Sequence, residues 1–157
     1  MDFPTFTLFK FLHIAMMFTA VAGAVFPEVV LHLVANTREP RTIATVAHIA
    51  ERIGKFLPIF FIGGAVFGLL AAWAGKMNFT APWLLATYVL FISAFVVGIL
   101  FSDPWVVRLR TAAVAAGDVP SAELSAVVDE PRPKMASAWL MIVIVVIISL
   151  MVFKPGS

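Results

Sequence analysis

Six residues of this chain could do chemistry within an otherwise apolar sequence. Four fall in one stretch, "FKFLHIAMMFTAVAGAVFPEVVLH": Lys10, His13, Glu28 and His32. Met17 joins Lys10 and His13 on one helical face at i, i+3, i+7, and Met151 falls at a similar depth in the last apolar run. Glu28 and His32 make an i, i+4 pair. With Val21 as the midpoint, His13 lies about 12 Å to one side and Glu28 about 10 Å to the other.

Neutral imidazole is a good ligand for haem iron or another metal, and it titrates near neutrality. A haem needs one axial His, and a second ligand from His, Met or Lys is optional. Met16, Met17 and Met151 lie near the depth of His13, and His13 with Met151 would satisfy that requirement, with Lys10 meeting a propionate. Copper(I) would also accept His and Met. Glu28 and His32 could instead pass a proton or bind a cation. Each residue has a plainer alternative as well. His13 could make an interhelical hydrogen bond to Tyr88 or a Thr. Lys10 could snorkel to the headgroups. Glu28 could pair with Arg108, Arg110 or Lys55, and His32 could be solvated at the interface.

What must hold these residues is a set of membrane helices. The 157 residues are 62% hydrophobic and only 13% charged, with a mean hydropathy of +1.02. Soluble domains run at about 45–50% apolar and about 25% charged. Four runs approach or exceed the roughly 20 residues needed to span a bilayer: 9–34, 56–75, 79 or 82–101, and 136–153. They do not alternate, and they are too long for barrel strands. The expected fold is all-α, a single membrane domain over 1–157 forming an up-and-down four-helix bundle in the lipid bilayer. The first run exceeds the h-region of a signal peptide and reads as a retained span.

Segment 36–55, "NTREPRTIATVAHIAERIGK", carries an apolar stripe at Ile43, Val46, Ala47, Ala50 and Ile53, which predicts an interfacial helix opened by Pro40. The "KMNFTAP" connection is a tight turn. In 102–134, Asp103-Pro104 marks the end of a span, Gly117 a helix stop, and Pro120, Pro131 and Pro133 further breaks. Ser121 could start a short helix there, and the acidic residues read as solvated surface. Basic residues cluster in these two longer loops: Arg38, Arg41, Arg52, Lys55, Arg108, Arg110, Arg132 and Lys134. Only Lys10, Lys76 and Lys154 lie on the other side. The positive-inside rule places both loops in the cytoplasm and both termini outside. Trp83 then fits an outer interfacial anchor, and Trp105 and Trp139 fit inner ones.

Gly64, Gly68 and Ala72 recur every fourth residue, a ridge that lets another helix come close. Ala20 and Ala24, and Ala94 and Gly98, offer similar surfaces. Pro27 and Pro58 each remove a backbone donor and can kink a helix. The chain lacks Cys, which excludes thiolate chemistry and disulfides. It also lacks HExxH, P-loop and G-x-S-x-G motifs. A net charge of +2 reflects basic loops facing anionic lipid and does not point to nucleic acid. The second and third spans hold no histidine, which argues against a bis-His site shared by two spans.

"KFLHI", "TIATVAHIAERIGKF" and "LMVFKP" resemble an uncharacterised family of bacterial integral membrane proteins, the domain of unknown function 2269. That resemblance implies a multi-pass protein of the bacterial inner membrane and no assigned activity. "LFKFLHIAMMFTAVAGAVFPEVVLH" is similar to the first helix of HemJ-type protoporphyrinogen oxidases and shares some character with CopD-like membrane proteins. The HemJ likeness implies haem b at His13 with Lys10 as its partner, although Glu28 stands where that family carries a basic residue. Three functions follow as expectations: a haem-binding, redox-linked protein; an accessory subunit of a homo-oligomer or larger membrane complex; and a small proton or cation transporter using Glu28 and His32.

Overall fold

A computed structural model of the chain describes residues 3–156, and every regular element among them is helical. In order these are α1 (Phe3–Ala35), α2 (Pro40–Gly54), α3 (Leu57–Ala74), α4 (Pro82–Val97), α5 (Asp103–Ala116), α6 (Ala122–Asp129) and α7 (Pro131–Phe153). A π-helical turn, Gly98–Ser102, joins α4 to α5 without a break. Four helical stretches are long and apolar enough to cross a membrane: 5–35, 40–74, 82–116 and 122–153. The chain is thus an integral membrane protein built as a four-helix bundle.

The bundle is two antiparallel pairs. In the first, α1 lies on the glycine ridge of α3. A Cβ on Gly64 would come 2.5 Å from Met17 Sδ, and one on Gly68 would come 2.8 Å from His13 Nδ1. Met16 fills the corresponding place over Gly63. The expected close approach is therefore real, and α1 side chains occupy the space that missing Cβ atoms leave. In the second pair α4 meets α7, with Ala81, Trp83 and Leu84 buried against Leu150, Met151 and Tyr88. Phe6 packs on Gly75, and Gly156 packs beside Pro82. Phe6, Gly156 and the α3–α4 turn thus share one end of the bundle.

The basic end is more than loops. At 33 residues, α1 is about 50 Å long, well beyond the roughly 30 Å of a hydrocarbon slab. The α4–α5 stretch, 35 residues, overshoots likewise. These overhangs pack with α2 and α6 into a cap. Its core is Leu31, Ala35, Ile43, Ala47, Trp105, Leu109, Ala112, Ala113, Leu124 and Val128. Ser121 caps α6 by accepting a bond from the Leu124 amide at 3.1 Å, and Gly117, at φ +68°, ends α5, both as the sequence indicates.

Several local expectations change. The α2 stripe faces protein, because Ile43 and Ala47 are fully buried in the cap core. Trp105 is no lipid anchor: it is 1% exposed and donates from Nε1 to the Val127 carbonyl at 3.2 Å. Trp83 is also buried, with Lys154 5.6 Å from its ring centroid, while Trp139 remains exposed. Asp103-Pro104 does not end a helix: the chain passes through the π turn and continues as α5, with Pro104 in the first turn of α5. Pro131 opens α7 with Pro133 two residues on, and Pro58 sits in the first turn of α3, where a missing N–H costs nothing. The acidic residues of 102–134 are largely paired. Arg38 meets Asp129 at 2.9 Å and Arg108 meets Glu130 at 2.6 Å, and Arg41 pairs with Asp118.

Candidate functional site

Where the membrane bundle meets the cap, polar side chains from three helical segments converge. Glu28 lies one residue past Pro27 on α1, and His32 follows one turn later on the same face. Ser102 comes from the last position of the π turn, where the extra residue per turn re-aims the helix face. Ser137 comes from the second turn of α7.

Ser137 Oγ lies 2.5 Å and Ser102 Oγ 3.2 Å from the same oxygen, Glu28 Oε1. His32 Nε2 lies 2.8 Å from Ser137 Oγ. A serine hydroxyl has one proton to give. When Ser137 gives it to Glu28, its oxygen accepts from His32 Nε2–H, so the chain reads His32 to Ser137 to Glu28. The Pro133 carbonyl, 2.9 Å from Ser137 Oγ, is the alternative acceptor. On its other side His32 stacks on Trp105, with ring centroids 4.5 Å apart, so the imidazole is fixed by the cap core.

Glu28 does not pair with Arg108, Arg110 or Lys55. Arg108 is taken by Glu130, and Lys55 and Arg110 both pair with Glu51, at 3.2 and 3.0 Å. Its neighbours are hydroxyls, His32 and the carboxyl of Asp103, which interacts electrostatically with it.

Above this floor the two helix pairs part. They leave a cavity of about 160 Å³ walled by Phe61, Phe91, Phe95 and Ile144, with Glu28, Ser102 and Asp103 as its polar residues. Small residues make the space: Gly23, Ala24, Gly54, Ala94 and Gly98 all line it. Ala94 and Gly98, expected as a packing surface, open a hole.

The residues suggested for haem lie elsewhere. His13 points its Nδ1 at the Gly64 carbonyl, 2.7 Å away, and its ring covers Gly68. Met17 covers Gly64. Lys10 is exposed, 5.9 Å from the Phe6 ring centroid. Met151 belongs to the Ala81–Trp83–Leu84 cluster of the other pair. None of the four lines the cavity. Among the described residues no group of three or more His, Asp or Glu is arranged to hold a metal ion. His13 and Met17 pack against α3.

Ser102, Ser137 and Asp103 are the site residues that sequence reasoning missed. Each stands at an apolar run's edge, in "LFSDP" and "KMASAWLM", but nothing local says that they meet Glu28. No family model, curated protein or solved structure matches this chain.

Proposed function

We propose that this membrane protein is a small proton-coupled transporter in which Glu28 carries the proton. The observation behind this reading is a half-buried membrane carboxylate held by two serine hydroxyls, one of them hydrogen-bonded to His32. Ionisable groups within membrane helices are costly and mark ion or proton pathways. A carboxylate neutralised by an arginine would be a structural ion pair. One held by hydroxyls can take up a proton and release it.

In this reading His32 and Ser137 connect Glu28 to the basic end, and the Glu28 carboxyl faces the cavity on its other side.

The test is proton movement into proteoliposomes holding a pH-sensitive dye, driven by a potassium diffusion potential and repeated with a gradient of an organic ammonium substrate across the membrane. Wild-type protein should acidify the lumen faster than empty vesicles, and Glu28→Gln should remove the difference. Ser137→Ala should slow it and Ser102→Ala should change it less. Equal rates for wild type and Glu28→Gln would overturn the proposal.

A further inference from the structure

We infer that the cavity between the helix pairs binds a lipophilic organic cation, one aromatic ring bearing an ammonium group, with the charge at Glu28 and Asp103. This deepens the transporter reading by naming its substrate class, and its binding test requires no proton movement.

Charge is the first argument. The cavity is lined by two carboxylates and by no Lys, Arg or His. Its other polar group is the Ser102 hydroxyl. An anion would meet only like charge there, and a neutral molecule would bring no counter-charge to either carboxylate. The walls are the second argument. Phe61, Phe91 and Phe95 come from facing helices, and Phe61 and Phe91 meet edge to face at 6.2 Å. Aromatic faces attract cations. Size is the third. A volume of about 160 Å³ is close to that of a cavity of about 150 Å³ that holds benzene, so it seats one aromatic ring. An apolar cavity with few convergent polar groups is the usual form of a small-molecule site.

Benzyltrimethylammonium is a suitable probe, because its charge is permanent and its neutral isostere, neopentylbenzene, has the same shape. Binding is measured by equilibrium dialysis of the labelled cation against full-length protein in non-ionic detergent. Wild type should bind it saturably, and neopentylbenzene should not displace it. Glu28→Gln should weaken binding about 30-fold, as when one partner of a buried charge pair is removed. Asp103→Asn should weaken it less.

A second variant guards against misfolding of the first. A Cβ on Gly98 would have nothing within 4 Å, and Gly98 lines the cavity, so Gly98→Leu fills the space while keeping both carboxylates. It should melt at or above the wild-type temperature and bind no cation. Undiminished binding in Glu28→Gln or in Gly98→Leu, or displacement by neopentylbenzene, would overturn the inference. Saturable, Glu28-dependent binding without proton flux would instead remove the proton reading and leave the cation site standing.

Discussion

His13 and Glu28 show how little residue type alone decides in a membrane helix. Both are costly in hydrocarbon, but their surroundings differ. His13 offsets its cost with one bond to the Gly64 carbonyl and a tight fit on Gly68. That fit makes a test. Gly68→Ala would place a methyl 2.8 Å from His13 Nδ1, and overpacking of this kind costs about 1–3 kcal/mol. In a His13→Ala background the same substitution should cost little. Thermal melts of the four proteins of this cycle in detergent should give a coupling comparable to the single cost; simple additivity would mean that His13 does not rest on Gly68. Glu28 has no such steric seat. Its bonds come from residues 74 and 109 positions away. Glu28 and His32 were visible in the sequence as an i, i+4 pair, but Ser102 and Ser137 enter only through tertiary packing.

Among the elements, the cap departs furthest from expectation. Its segments were legible: the α2 stripe, the Ser121 start and the Gly117 stop all hold. Their destination was not, because an amphipathic stripe has the same period whether lipid or protein covers it. Helix continuity through Asp103-Pro104 was also hidden, since a proline after an acidic residue reads as a boundary. Trp105 joins the cap to the site by stacking on His32. Trp105→Ala should therefore cost about 3–5 kcal/mol. It should open segment 102–134 to protease while α3 and α7 stay protected, and protease resistance equal to wild type would contradict this role. Glu51 joins α2 to α5 through Arg110. Its carboxyl is held below the usual carboxylate range, first by its hydrogen bond to Lys55 and then by the Arg110 charge. A depressed folded-state value gives stability that is present above the unfolded value and lost as pH falls through the folded one. The melting temperature should thus drop on acidification below the ordinary carboxylate range, and Glu51→Gln should flatten that drop.

For the whole molecule, the composition settled the class because lipid is the solvent: a chain this apolar has no other way to cover its surface. The direction of insertion rests on a different force. Arg38, Arg41, Arg52, Lys55, Arg108, Arg110, Arg132 and Lys134 all fall at the cap end, whereas Lys76 and Lys154 lie at the end shared by Phe6, Gly156 and the α3–α4 turn. Basic residues near short loops resist translocation, so the cap should face the cytoplasm and the chain ends the exterior. In that orientation the His32–Ser137–Glu28 chain lies toward the cytoplasmic side of the bundle. The absence of native cysteine makes a clean measurement possible. Val119, 71% exposed in the cap, and Pro155, exposed at the opposite end, can each be replaced by the chain's sole cysteine. In right-side-out vesicles a membrane-impermeant maleimide should label Pro155→Cys at once, and Val119→Cys only after lysis. The opposite pattern would invert the molecule and make Glu28 a group loaded from outside. Labelling of both sites without lysis would mean dual insertion, and the charge asymmetry would then be too weak to orient the bundle.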